Sequence, residues 1–577
     1  MKKLLAALIA VILVMSCCSC REIMKTNKVN DNDKELISRQ IALLNNCDEY
    51  KLKHDYIDTY FYKNGNVPLI DVNEFVASLD GFIDTEKIRY VINESENCLT
   101  QKWLSGSYTY EMSVYWDSNK IYVNDFGFFY VTNDIAGTNY SAHRKWLDVY
   151  SSNEKSITFN AGNYYFDILY YQSKVLIPLP ILNVLFCSVN QANLLYNGDE
   201  YHFYYGSPSK SVIASMRESQ LNGTECPNDV RKATINGLLF TMDYFYGLKD
   251  EKEIDSGFVN YLTQGQLENL WSNDCNVYNA AYLQIFQREI DELHTNLLFP
   301  SVYNALNDKF DIFSEENIGE RWGEYYRSLD ELQNDYKNKF GEIEAVRFKD
   351  KTAFIKLNEF RVAANNVLYD TSGNLKDDAW EYDTFYFMLH AMSLIKKQRG
   401  IEKVVLDLTS NGGGTLGAMW SVLGFLTNRD IVLPSYNTLT KEFRLDYYAI
   451  DSDDDGDYSD RDAYTQYDWY VLTSQNTFSA ANNFVSVVKN MDIATVIGER
   501  TGGGMCSVMY SVLADGTAYR FSSNRTSRYQ YYDKESGKNI YQQIESGIRP
   551  NFELDRKYFY DLTYINNFIE DITGQSA

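Results

Sequence analysis

The sequence predicts an α/β core over residues 346–577, preceded by a helical section at 208–345 and a β-rich region at 50–205. Three observations carry this. Strand-like and helix-like apolar periods alternate through the last section. In the middle section apolar residues recur every three or four positions, with polar residues between them. The first section is aromatic and alternates in the β manner, as in Tyr108–Val114, Lys120–Val123 and Asn163–Tyr171. A chain of 577 residues is also too long for a single core, so several domains are expected.

The N-terminus has the layout of a secretory signal. Lys2 and Lys3 precede an apolar run, Leu4–Met15, too short to span a bilayer stably. The run ends in Val14-Met15-Ser16-Cys17, which resembles a bacterial lipobox and implies acylation of Cys17. Residues 1–16 are then a signal peptide, and 17–49 a polar tether. The expected address is the outer side of a bacterial membrane, reached through a lipid anchor. A net charge of −25 excludes nucleic acid as a partner, because phosphate binding needs a basic face. The 48 tyrosines are read mainly as replacements for Phe and Leu in half-buried strands.

Two phrases of the β-rich region echo each other, NVPLIDVNEFVASLDG from Asn66 and VLIPLPILNVLFCSV from Val175. Each is an extended Pro-Leu step leading into a short amphipathic helix. The echo resembles the β-rich stalk modules called copper-amine-oxidase-like N-terminal domains, and implies a spacer or a surface for a wall polymer or partner. In the helical section, Ser211–Gly247 and Asn279–Leu298 read as helices. The phrase IDELHTNLLFPS, Ile290–Ser301, places His294, one of only five histidines, after the acids Asp291 and Glu292.

The core reads in order. Thr352–Leu357 is a strand, Asp383–Gln398 an amphipathic helix, and Lys403–Leu408 a buried strand. Ser410–Gly414 (SNGGG) then opens a helix through Leu426. Three glycines let the backbone turn sharply and present amides unobstructed. A Walker lysine is missing, so an oxyanion hole is the better chemical use of those amides. Trp469–Gly504 follows as strand, turn, helix and parallel strand, a βαβ unit with Ser479 at the helix start. A serine there can cap the helix or act as a nucleophile, because both uses draw on the same free amides and dipole. A hairpin about Asp515-Gly516 and the phrase IESGIRPNFEL, Ile544–Leu554, close the core.

An acidic insertion at 449–462 carries DSDDDGDYSDRD. Asp451, Asp453 and Asp455 at positions one, three and five, Gly456 at six and Asp462 at twelve match calcium-loop spacing. A structural calcium is expected there, against the plainer reading of a solvated acidic loop.

Four phrases, VVLDLTSNGGG, TSQNTFSAANNF, VIGERTGGG and ESGIRPNFEL, stand in the order found in tail-specific, or C-terminal processing, serine peptidases, which the core resembles. IDELHT resembles the D-x-x-H-T phrase of the tricorn-core and retinoid-binding-protein-like branch. The resemblance implies a ClpP/crotonase-like fold and an acyl-enzyme peptidase needing no catalytic cofactor, with a protein or peptide substrate. It makes Ser479 the nucleophile, with the amides of Ala480 and of Gly413 or Gly414 as the oxyanion hole. The lysine base of the better-known branch is replaced by Gly504, and Lys489 lies about three helical turns from Ser479 on one helix. The other branch's arrangement then implies His294 as general base, oriented by Glu545, or by Asp291 or Glu292. Two further classes fit the same fold: a catalytically inactive binding lipoprotein and an acyl esterase using the same three residues.

Overall fold

The computed structural model describes residues 35–576, except 153–154, 255, 307–309, 343 and 459–461. The signal peptide and Cys17 lie outside the described residues. No described helix is long and apolar enough to cross a membrane. The chain divides into two units, the first built from residues up to 134 with 154–320 and 508–523, the second from 135–153, 321–507 and 524–577. The β-rich and helical sections therefore fall together, and a short piece of the former, 135–153, belongs with the core.

In the first unit, β1 (Leu36–Asn45) pairs antiparallel with β2 (Tyr56–Tyr62) with Ile41 opposite Ile57. A strand stands here where a tether is expected to run on to residue 49. Its polar residues mask the alternation, but Ile41 and Leu43 point inward and are buried. The two echoed phrases prove to be neighbours. β3 (Leu69–Asp71) leads into α1 (Val72–Ser78), β4 (Lys174–Pro178) leads into helical turns from Leu179, and the strands pair antiparallel with Ile70 opposite Ile177. Asp71 caps α1 through the amides of Asn73 and Glu74, and its other oxygen accepts from Val175 of β4. A separate five-stranded antiparallel sheet runs over 89–93, 98–105, 108–115, 120–123 and 157–160.

The helical section contributes α2 (Asn228–Phe245), buried along most of its length. The expected helix 279–298 is shorter. Helical turns from Cys275 end at Ile290, Asp291 takes a left-handed φ of 41°, and β5 (Asn296–Phe299) follows. The correction has a plain cause: NLLF satisfies its backbone in a sheet, pairing with Arg520, Tyr519 and Ala518. His294 therefore sits in a turn between helix and strand.

The second unit takes in α3 (Glu320–Phe340) from Arg321 onwards and is organised on a six-stranded sheet. At its centre run β6 (Thr352–Lys356), β7 (Lys403–Asp407), β8 (Asp468–Thr473) and β9 (Thr495–Gly498), all parallel. Between them lie α4 (Thr384–Lys397), α5 (Leu416–Leu426) and α6 (Ala480–Met491). The register aligns Ile355, Leu406, Val471 and Val496 in one row, each 0% exposed. The near-continuous apolar runs in these strands follow from burial on both faces. One face is closed by α3, through Leu332 and Tyr336, and by α7 (Leu562–Ser576), through Ile565, Ile569 and Ile572. Here the elements stand within a residue or two of their expected places. The expected hairpin about Asp515-Gly516 forms, and its second strand, β10 (Ala518–Asp533), starts in the first unit and ends in the second.

Candidate active site

Ser479 is where the local chain departs most from ordinary geometry. Its φ of 55° and ψ of −120° belong to the first central position of a type II′ turn, a place normally taken by glycine. Holding a serine there costs about 1–3 kcal/mol, which the surrounding structure must offset. Three contacts fix it: the Ser479 amide donates to the Gly503 carbonyl at 2.8 Å, its carbonyl accepts from Asn483 at 2.9 Å, and the Phe478 amide donates to Asn411 O at 3.0 Å. The side chain makes no capping hydrogen bond to α6. Of the two readings open at the sequence level, capping is thus absent. The residue is half-buried between buried neighbours, Phe478 and Ala480, at the positive end of a helix.

The glycine loop packs directly on this turn. A Cβ on Gly413 would stand 2.8 Å from Ser479 Cβ and 3.0 Å from the Ala480 nitrogen, so only glycine allows the approach. The loop is held by an isolated parallel bridge in which Phe360 N donates to Gly413 O and Thr415 N to Phe360 O. That pairing leaves the Gly414 N–H outside it. The Gly413 N–H is donated to Asn411 Oδ1 at 2.9 Å. Of the two glycines, Gly414 is therefore the one with an amide to offer, beside Ala480 at the first turn of α6. Beneath the loop, buried Lys356 reaches Asp407 Oδ1 at 3.1 Å and Thr409 Oγ1 at 2.7 Å. Burial pushes its ammonium below the usual lysine range, with Asp407 acting in the opposite direction.

Gly504, where a lysine base would stand, has a φ of 85°, and a Cβ there would meet the Phe478 ring at 2.6 Å and the Ser479 nitrogen at 3.0 Å. A side chain at this position displaces the turn it would serve. We expect Gly504→Lys to lose at least the 1–2 kcal/mol of a forced left-handed residue, seen as a lower denaturant midpoint, and to gain no activity.

Glu545 braces the same loop. Its Oε1 pairs with Arg321 Nη2 at 3.0 Å and its Oε2 accepts from Met505 N at 2.9 Å, while Arg321 Nη2 also reaches Gly502 O at 3.2 Å. From the other side Thr501 Oγ1 donates to Asn482 Oδ1 at 2.6 Å, and Asn482 Nδ2 to Ile544 O at 3.0 Å. The second unit thus brings Ser479, Ala480, Gly413, Gly414 and Glu545 together. Lys489 lies at the far end of α6, donating to Arg549 O.

His294 belongs to the first unit, where it is 4% exposed. Its backbone amide donates to Glu292 Oε2 at 2.8 Å, and Thr295 Oγ1 donates to Glu292 Oε1. Glu292 therefore fixes the turn that carries the histidine, through the backbone amide and the neighbouring hydroxyl. Ser522 Oγ lies 3.4 Å from His294 Nδ1. Asp291 forms the left-handed corner before the turn.

The sequence reading missed Arg321, Asn411, Asn482 and Ser522. Arg321 opens α3, which no motif of the sequence marks out, and the two asparagines sit inside motifs defined by their Ser and Gly. Nothing in the chain around Ser522 marks it.

In the acidic insertion, Asp451 is buried and accepts from the amides of Asp453, Asp454 and Gly456 at 3.3, 2.7 and 2.9 Å. Asp462 Oδ2 accepts from Ser452 N at 2.8 Å. Oxygens of Asp451, Asp453 and Asp462 lie within 4.8 Å of one another, a hard-oxygen set that fits a calcium ion. Asp455 is outside that trio and turns to the Asp457 amide.

Residues 351–554 match the family model for peptidase family S41. Similar solved structures include the photosystem II D1 C-terminal processing protease, at 21% identity over 35% of this chain and 42% of that one, with a TM-score of 0.24. A putative peptidase from Parabacteroides merdae has 18% identity, covers 57% of this chain and 90% of that one, and has a TM-score of 0.33. The tricorn protease has 10% identity, covers 85% and 46%, and has a TM-score of 0.27. The match to the D1 processing protease spans less than half of that chain. None of the curated protein sequences matches. The matched stretch is the core that holds Ser479, the glycine loop and Glu545, and that core is similar to peptidase family S41.

Proposed function

We propose that the protein is an exported, lipid-anchored serine peptidase that cleaves peptide bonds through an acyl-enzyme. The observation that carries this reading is the strained, uncapped Ser479 at the start of α6, packed against a glycine loop. In the proposed reaction His294 Nε2 takes the Ser479 proton as Oγ attacks the scissile carbonyl. The amides of Ala480 and Gly414 receive the oxyanion, and His294 returns the proton to the leaving amine. Water then hydrolyses the ester by the same route. Glu545 has two parts in this scheme: it orients His294 and, through Arg321 and the Met505 amide, fixes the loop on which the Ser479 amide rests. The anchor would be the acylated Cys17. Wild-type protein should be labelled by a serine-directed fluorophosphonate, with the adduct mapping to Ser479. Absence of labelling under conditions where trypsin is labelled would refute an active serine and favour the binding-lipoprotein reading. Hydrolysis of simple esters but of no peptide would favour the esterase.

We further propose that the acidic insertion holds a structural calcium through Asp451, Asp453 and Asp462, with Asp455 contributing through its backbone or a water. Calcium would neutralise carboxylates held within one loop and tie both ends of the insertion. Millimolar calcium is expected to raise the melting temperature, and Asp462→Asn to abolish the shift. A melting temperature insensitive to calcium would leave the loop as a solvated turn.

A further inference from the structure

Beside the glycine loop, the second unit contains a cavity of about 770 Å³. Its wall is formed in part by Val362 and Ala363, just past the Phe360 that pairs with Gly414, and by Gly417 and Ala418 at the opening of α5. The remaining wall comes from residues 139–143, from the start of α4 and from the acidic insertion. We propose that this cavity is a specificity pocket for a basic side chain, arginine or lysine, of the bound peptide. The identity of the ligand as a peptide rests on the peptidase reading above, whereas the selection of a cation rests on the cavity alone.

Among the described residues the charge of the lining is one-sided: Asp383, Asp451, Asp454 and Asp455 face the cavity, and no lysine or arginine does. If Asp451 is taken up by calcium, Asp454 still remains, whereas Asp383 is buried and gives its two oxygens to the amides of Phe385 and Ala363. Asp454 is held ready. Its Oδ1 lies 3.2 Å from His143 Nδ1, and its Oδ2 accepts from the Tyr386 hydroxyl at 3.2 Å. Tyr386 OH is in turn 2.9 Å from Tyr369 OH, and the His143 ring stacks on Phe385 at 3.5 Å with the planes 4° apart. A carboxylate fixed by its neighbours loses little freedom on binding, so a guanidinium or ammonium meets a preformed partner. The aliphatic stem of such a side chain suits Val362, Leu368 and Ala418 on the same wall. An acidic ligand would instead meet like charge, which gives the pocket a repulsive as well as an attractive element. The wall at Val362 and Ala363 is tied to the glycine loop through the bridge between Phe360 and Gly414.

The test uses the full chain carrying Ser479→Ala, in saturating calcium, and measures by fluorescence anisotropy the binding of labelled host peptides of Gly, Ala and Ser. One position in each is Arg, Lys, Gln or Glu. The Arg and Lys peptides should bind about tenfold or more tighter than the Gln peptide, with Glu weakest. Asp454→Asn should erase that preference without unfolding the loop, because Asp454 has a φ of 69° and asparagine is at ease in the left-handed region. Tyr386→Phe should reduce the preference, and Glu535→Gln, an exposed change on a distant hairpin, should leave it intact, separating the pocket from the overall charge of −25. Equal affinity for Arg and Gln peptides, a preference that survives Asp454→Asn, or no binding by any peptide of the set would overturn the proposal. Failure of the peptidase reading is scored separately, by fluorophosphonate labelling of the wild type.

Discussion

Ser479→Ala is expected to lower peptidase activity by roughly 10⁴- to 10⁶-fold, with a fold that melts as the wild type does. The size follows from the role proposed for the residue, since without Oγ no acyl-enzyme forms and only binding and the oxyanion amides remain. The unchanged stability follows from geometry, because alanine inherits the same left-handed φ and no capping hydrogen bond is lost. Glycine at the same position separates the two properties. Ser479→Gly should be equally inactive yet more stable than Ser479→Ala by about 1–2 kcal/mol, the cost of a Cβ in this backbone region. The comparison of the two variants by denaturant midpoint and by turnover therefore measures the strain and the chemistry independently. Full activity in Ser479→Ala would remove the nucleophile assignment, and equal stability of the two variants would remove the strain.

Much of the second unit was legible in the sequence because its signals are local. A strand buried on both faces must be apolar throughout, so Lys403–Leu408 and Trp469–Leu472 stand out, and a helix with Asp383 before it and Gln398 after it declares both ends. The turn at Ser479 was legible as a turn, but not its conformation. The left-handed φ is imposed by contacts with Gly503 and Asn411, which lie 24 and 68 residues away in the chain. The same limit hid the division of labour in the loop. That Gly413 gives its amide to Asn411, and that Glu545 works through Arg321, are matters of pairing between distant segments, which residue types alone do not encode. In the first unit the errors run the other way. β1 reads as tether because only Ile41 and Leu43 turn inward, and NLLF reads as helix because its four residues are too few to carry a period. The echo of the two Pro-Leu phrases was visible, whereas their antiparallel pairing required the fold.

Asp515→Ala is expected to cost about 3–5 kcal/mol, the loss that follows when one partner of a buried pair is removed and the other charge stays inside. Arg231 and Asp515 are both 0% exposed, with Nη1 and Oδ2 at 2.6 Å. The guanidinium has other contacts, a hydrogen bond to Leu270 O and the Tyr278 ring at 3.8 Å from its carbon, but neither carries a countercharge. It cannot escape by losing its proton either, because arginine remains charged in proteins. The carboxylate also takes the Thr517 amide, while the Asp515 carbonyl accepts from Ser301 Oγ and from Val302 N. The pair therefore pins the hairpin turn to α2, and the Asp515 carbonyl pins it to the segment that follows β5. Residues 508–523 reach Ser522, whose hydroxyl lies beside His294 Nδ1, so loosening the turn should disturb the proposed base as well. Measured below its own melting temperature, Asp515→Ala should show reduced kcat. A double change, Arg231→Met with Asp515→Leu, should recover much of the stability, because no unpaired charge is left behind. If Asp515→Ala instead unfolds at the wild-type denaturant midpoint, the pair contributes nothing net, and the turn is held by its backbone hydrogen bonds alone.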